Sequence, residues 1–264
     1  TPAAMKLKPL AVFLCAVFLF FSLFFSYALP LSAAQLTPDE ALEAHRAMEI
    51  QTNQIPNWPA GPVVGAESAI LIEAETGTIL YAKNIHQQEY PASTTKILTS
   101  LIVTEQCAMD EMVTFSHDAV FDTPWESSHI AMDVGQALTV EQCLNAILIR
   151  SANEVSYAVA EHISGTSDWS VFAETMNRRA QELGCLNSHF VNPNGLPDEN
   201  HYTTAYDLAM IGRAFFANEM LCKISLTRRL DIPASDTLPN RKLELNNMAI
   251  IPGGQYAYEY LLGC

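Results

Sequence analysis

The stretch Pro91-Ala92-Ser93-Thr94-Thr95-Lys96-Ile97-Leu98-Thr99-Ser100-Leu101-Ile102-Val103 decides how the rest of this chain is read. Its apolar residues recur at helical spacing and nothing after Pro91 breaks the run, so it predicts a buried helix beginning at or just before Ser93. Ser93 and Lys96 lie three positions apart, which puts both side chains on one face of the first turn. A serine hydroxyl is a poor nucleophile at neutral pH unless a base stands beside it, and a neutral lysine amine can be that base. An ordinary lysine titrates at ~10.4, so the role requires burial or a neighbouring cation to bring it down. The bland alternative is a Ser93 that caps the helix and a solvated Lys96, because S-x-x-K is short enough to arise by chance.

A second element shifts that balance. Ser151-Ala152-Asn153 is the one S-x-N in the sequence, and it falls between two predicted helices, where a loop can project into a cleft. A hydroxyl and an amide at such a point can relay a proton to a leaving group and hold a substrate carbonyl. Ser151 also fits a capping box with Glu154 for the helix that follows, a role that leaves Asn153 unexplained.

Outward from these two motifs, Ala69 to Glu73 and Thr78 to Tyr81 predict a β-hairpin turned through Glu75-Thr76-Gly77. A strand is expected near Val113 to Phe115. Helices are expected from Thr139, with Gln142 completing a capping box, to Arg150, then from Ser151 to Ile163, and from Trp169 to Leu183 with Gly184 as terminator. Asn192-Pro193-Asn194-Gly195 reads as a tight turn, and Thr204 opens a helix to Phe216. Strand-like segments at both ends of a helical middle make the fold class α+β.

The front of the chain has its own signature. Lys6 and Lys8 precede an apolar run from Leu10 to Leu29 broken only by serines, and Ser32-Ala33-Ala34 meets the small-residue rule for a cleavage site. Residues 1–34 are therefore read as a signal peptide, with residues 1–4 as upstream sequence. Ser26-Tyr27-Ala28 is a second cleavage site of lower rank, and an uncleaved anchor is the competing reading of a run near the ~20 residues that span a bilayer. Residues 35–65, with a short helix around Pro38 to Met48, form a lead-in, and 66–264 the main domain. Loss of the leader moves the formal charge from -15 to -17, which argues against nucleic acid as a partner.

Six cysteines occur, Cys15 in the leader and Cys264 at the last position. Cys107, Cys143, Cys185 and Cys222 could pair in an exported chain, although Cys143 and Cys185 sit in apolar surroundings that suit buried free thiols. His117, His129, His162, His189 and His201 show no metal-binding spacing and no Gly-rich phosphate loop is present, so no metal and no cofactor is expected.

The Pro91-Ala92-Ser93-Thr94-Thr95-Lys96 and Ser151-Ala152-Asn153 motifs, in that order, resemble the first two motifs of the penicillin-binding proteins and serine β-lactamases. The match is nearest to the low-molecular-weight D-alanyl-D-alanine carboxypeptidases. The hairpin with its Glu75-Thr76-Gly77 turn, the segment Phe190 to Leu196, and His201-Tyr202-Thr203-Thr204 before Asp207 add to it, so the resemblance runs from about Ala66 to the end. It implies a β-lactamase/transpeptidase-like fold, an antiparallel sheet flanked by helices with a mostly helical subdomain. It implies Ser93 as nucleophile, Lys96 as base, Ser151 as proton relay and Asn153 as substrate ligand. Peptidoglycan stem peptides would be the substrate and β-lactam antibiotics the inhibitors. The enzyme would work at the outer face of the cytoplasmic membrane, in the periplasm or in the cell wall, with attachment through a C-terminal segment.

Two departures from the family pattern carry expectations of their own. Ala152 stands where β-lactamases and many transpeptidases have aspartate, which favours the carboxypeptidase branch. Gly254 to Gly263 resembles the approach to the third family motif, K-T-G, and the sequence ends at Cys264. The expectation is a sheet lacking its C-terminal strands and a chain inactive as written. Glu141-Gln142-Cys143-Leu144-Asn145 imitates the deacylating glutamate string of class A β-lactamases, but precedes Ser151 and is read as helix cap plus core. The rival functions are a β-lactamase or esterase of the same superfamily, or a non-catalytic wall-binding or β-lactam-sensing protein.

Overall fold

Two short apolar runs on either side of a polar turn set the first sheet of the computed structural model, which describes residues 36–238 and 243–246. The leader and the run from Gly254 to Gly263 lie outside the described residues, so the readings made on them stand as expectations. The chain divides into two compact units, 1–45 and 46–264. Helix α1 (Pro38–Ala47) starts at a local cap, in which Thr37 Oγ1 accepts from the Glu40 N–H and the Glu40 carboxylate accepts from the Thr37 N–H at 2.9 Å.

In the larger unit, strands β1 (Ala69–Ile72) and β2 (Ile79–Lys83) pair antiparallel, Ala69 opposite Lys83 and Leu71 opposite Tyr81, with an irregularity before Ile72. The turn between them is held by the Glu73 carboxylate, which accepts from the N–H groups of Glu75 and Thr76 and from the Thr76 hydroxyl. Those bonds, the Thr76 hydroxyl first, hold the carboxyl down at about 2. Gly77 closes the turn at φ +75°, as its place in the sequence requires. Lys83, 1% exposed, donates to the carbonyls of Val64 and Ala66 and so draws the preceding segment against the hairpin.

The helix expected at Ser93 forms in two steps, a 3₁₀ turn at Ala92–Thr94 and then α2 (Thr95–Gln106). It is the central rod of the unit. Leu98 and Ile102, one turn apart, enter a cluster with Phe172, Met176, Phe190 and Ile211, whereas Leu101 and Val103 enter a larger one with Phe115, Leu144, Ile147 and Val155. Around it run β3 (Met112–Thr114), α3 (His117–Phe121), β4 (Ala137–Thr139), α4 (Val140–Arg150), α5 (Asn153–Ser164), α6 (Trp169–Glu182), α7 (Ala205–Phe216), α8 (Glu219–Ser225), β5 (Arg229–Ile232) and β6 (Leu243–Asn246). Strands β3 and β4 pair, as do β5 and β6, both antiparallel. This is the α+β class that the sequence leads one to expect, and the described strands form antiparallel pairs.

The capping signals explain where most helices begin. Thr139 and Gln142 exchange both bonds of a capping box at α4, Thr204 caps α7 and Asn218 caps α8. The glutamate-like decoy resolves as expected: Glu141 lies in the first turn of α4, and Cys143, Leu144 and Asn145 are buried. Cys143 and Cys185 are buried free thiols, and Cys107 and Cys222 are also unpaired. One reading fails. Ser151 does not cap α5; it ends α4 in the left-handed region at φ 56°, and Ala152 takes the N-cap position without a side-chain bond.

Candidate active site

Ser93 is exposed and Lys96 is 2% exposed, so the hydroxyl faces outward while the amine behind it is sealed in. Lys96 Nζ lies 3.2 Å from Ser93 Oγ, 2.7 Å from Asn153 Oδ1 and 2.7 Å from the Asn194 carbonyl oxygen. Burial pulls this lysine down to about 7, against the charge of Glu154, which acts to raise it. At neutral pH much of it is thus the free amine, with two N–H donors and one lone pair. The Asn194 carbonyl can only accept, and so does Asn153 through Oδ1. These two shorter bonds take both donors, and the lone pair is left for the hydroxyl of Ser93.

Two loops make this geometry. Asn153 opens α5, and its N–H donates to the Ser128 carbonyl at 2.9 Å, which fixes the turn against the 117–134 region. Asn194 belongs to the Asn192-Pro193-Asn194-Gly195 turn, in which Asn192 Oδ1 accepts from the N–H groups of Asn194 and Gly195. Thr99 Oγ1 donates to the Pro193 carbonyl at 2.7 Å, which pins the turn to α2. Gly195, at φ +83°, is the only residue type that fits there: a Cβ would stand 1.8 Å from the Ala92 carbonyl oxygen. Ala92 itself sits at φ 47°, so the backbone turns sharply just before Ser93.

Of the residues picked out from sequence, Ser93 and Asn153 each meet Lys96 directly. Ser151 stands two positions before Asn153 with its Oγ enclosed and lacking a hydrogen-bond partner. Sequence reading missed the Asn194 carbonyl, although the Asn-Gly turn was legible, and it missed Glu154. That carboxylate is 2% exposed, accepts from the Ile130 N–H at 2.7 Å, and is pushed up by its burial. It also borders a cleft of about 680 Å³ with Val120, Phe121, Trp125, His129 and Met132. His201 is held in a structural role. Its Nδ1 accepts from the Val191 N–H at 3.1 Å, so its Nε2 carries the proton and donates to Thr95 Oγ1 at 2.8 Å. Burial keeps this imidazole neutral by lowering it to about 4.

The model of the D-alanyl-D-alanine carboxypeptidase family matches residues 55–252, which include every residue of this constellation. The chain belongs to that family. A D-alanyl-D-alanine carboxypeptidase of Bacillus subtilis (strain 168), DacF, is 39% identical over 168 residues, 61% of this chain and 42% of the relative. Among solved structures, the D-alanyl-D-alanine carboxypeptidase DacD of Francisella tularensis aligns at 31% identity and a TM-score of 0.63, over 70% of this chain and 45% of that one. A mutant of the Streptomyces K15 DD-transpeptidase aligns at 26% identity and a TM-score of 0.66, over 71% and 76%. The chain thus has the penicillin-binding/transpeptidase fold expected from its motifs, and it spans about two fifths of the length of the curated carboxypeptidases it matches.

Proposed function

We propose that the protein is an exported serine-type D-alanyl-D-alanine carboxypeptidase that shortens peptidoglycan stem peptides through an acyl-enzyme on Ser93. The observation that carries the reading is a buried lysine amine 3.2 Å from an exposed serine hydroxyl, where burial draws the lysine down to about 7 and so frees a lone pair to act as base. Ser93 Oγ attacks the carbonyl of the penultimate D-alanine as Lys96 takes its proton. The oxyanion forms beside the Ser93 N–H, which lies in the opening turn of a helix, where such groups have no intrahelical partner. The tetrahedral intermediate then collapses, the C–N bond breaks, and the departing D-alanine amine receives a proton by way of the Ser151 hydroxyl. The Asn153 side-chain N–H groups, left free by the bond its oxygen accepts from Lys96, hold the peptide carbonyl. Water completes the cycle by hydrolysing the ester.

β-Lactams would acylate Ser93 by opening their ring. This chemistry calls on no metal or cofactor. The leader at 1–34 and the nature of the substrate favour a site of action at the outer face of the cytoplasmic membrane, in the periplasm or in the wall, with membrane attachment through a C-terminal segment. Among the described residues no helix is long and apolar enough to cross a membrane. The test is release of D-alanine from a peptide ending in D-Ala-D-Ala by the full-length gene product. Release that is lost in Ser93→Ala supports the reading, and a protein that releases none overturns it.

A further inference from the structure

Helices α2 and α5 meet at one end through Lys96 and Asn153, and a second cluster lies where both of them finish. Cys107 follows the last residue of α2, His162 is in the last turn of α5, and Glu111 lies in the turn leading out of α2. One ligand atom from each of the three falls within 4.8 Å of the others, and His162 Nε2 is 2.9 Å from Glu111 Oε2. Along α2 the cluster is about 16 Å from Lys96, at ~1.5 Å per residue, so it is separate from the acyl-transfer site.

The carboxylate is set in advance. Glu111 Oε1 accepts from the Ala108 N–H at 2.6 Å, the Glu111 N–H donates to the Ala108 carbonyl, and the Glu111 carbonyl accepts from the Val140 N–H. Only Oε2 is left to turn toward His162. The Cys107 backbone is fixed as well, its N–H donating to the Val103 carbonyl at 3.0 Å. Ligands at tetrahedral zinc, with bonds of ~2.0 to 2.3 Å, stand roughly 3.3 to 3.6 Å from one another. His162 Nε2 and Glu111 Oε2, at 2.9 Å, stand a little closer than that, and Cys107 Sγ lies within 4.8 Å of both, so small side-chain rotations would bring the three to ligand spacing. One thiol, one imidazole and one carboxylate form a donor set of intermediate softness, which suits zinc and disfavours calcium or magnesium. The side chains of His162 and Glu111 remain 27% and 43% exposed, which leaves an entry path and room for a water as fourth ligand.

We propose that Cys107, Glu111 and His162 bind one zinc-class divalent ion and so clip together the ends of α2 and α5 remote from the active site. The thiol binds as thiolate and releases its proton to solvent, and the ion takes the place of the hydrogen bond between His162 and Glu111. No spacing rule could find this site, since Cys107 and Glu111 lie in the segment leading out of α2 and His162 comes from α5.

The test is titration of the metal-stripped protein, kept reduced with a phosphine, first with Co²⁺ and then with Zn²⁺. The expected result is one Co²⁺ per chain, with thiolate-to-metal charge-transfer absorption in the near ultraviolet that Zn²⁺ abolishes. Cys107→Ser should remove that band, and Cys222→Ser, a change at the other half-exposed thiol among the described residues, should keep it. Glu111→Gln and His162→Gln should each weaken binding by at least the ~10- to 100-fold that loss of an outer-shell partner brings. Zn²⁺ should raise the melting temperature of the wild type but not of His162→Gln, a variant that leaves every thiol in place. Cobalt binding without a sulfur band, a band that survives in Cys107→Ser, or a melting temperature indifferent to zinc overturns the proposal. It stands or falls independently of the reaction at Ser93.

Discussion

Lys96→Met separates a lysine that becomes a free amine near neutral pH from one that stays charged. Lys96 falls from an ordinary value of 10.5 to about 7 in the folded protein, chiefly through burial. Well above the unfolded value the side chain is neutral in both states and imposes no penalty. As pH falls toward 7 the unfolded chain takes up the proton first, so folding grows less favourable, and below about 7 the penalty is present in full. At ~1.4 kcal/mol per pH unit it reaches about 5 kcal/mol. Methionine removes this penalty, and also removes donors to Asn153 Oδ1 and the Asn194 carbonyl, a loss of ~1 to 3 kcal/mol each that varies little with pH. The stability of the wild type relative to Lys96→Met, measured by urea unfolding from about pH 6 to pH 10, should therefore rise by several kcal/mol. Glu154→Gln, which removes the opposing charge, should shift the rise to lower pH. A difference that stays flat across the range would mean a lysine charged throughout, and the base assigned to Ser93 would be lost.

Other perturbations probe the parts around that lysine. Gly195→Ala drives a Cβ to 1.8 Å from the Ala92 carbonyl oxygen at φ +83°, so it should destabilise by more than ~3 kcal/mol in thermal unfolding and withdraw the Asn194 carbonyl from Lys96. Ser151→Ala removes a hydroxyl without a hydrogen-bond partner, so stability should hold within ~1 kcal/mol while acylation of the full-length gene product by a fluorescent penicillin slows by ~10²- to 10⁴-fold. Equal losses in stability and rate would make Ser151 a structural residue.

What could be read from the sequence was local. The caps at Thr139 and Thr204, the terminating Gly184 and the Gly77 turn are signals in which a side chain or a missing Cβ acts within a few residues of itself, and the structure follows them. Ser93 and Lys96 share a helical turn, so their meeting was legible for the same reason. Ser151 misled because S-x-x-E fits a capping box wherever it occurs, and nothing local reveals that α4 ends there in a left-handed residue. The Asn194 carbonyl reaches Lys96 from a turn 98 residues away, and the charge of Glu154 acts on it from the first turn of α5. The Cys107, Glu111 and His162 cluster exists only once α2 and α5 lie side by side.

The most direct measurement is mass spectrometry of the full-length gene product after incubation with a reactive penicillin, followed by peptide mapping. The account expects one penicilloyl group per chain, on Ser93, absent from Ser93→Ala and formed faster as pH rises through about 7. A full-length protein that takes no adduct, or takes it on another residue, would contradict the assignment of Ser93 as the nucleophile.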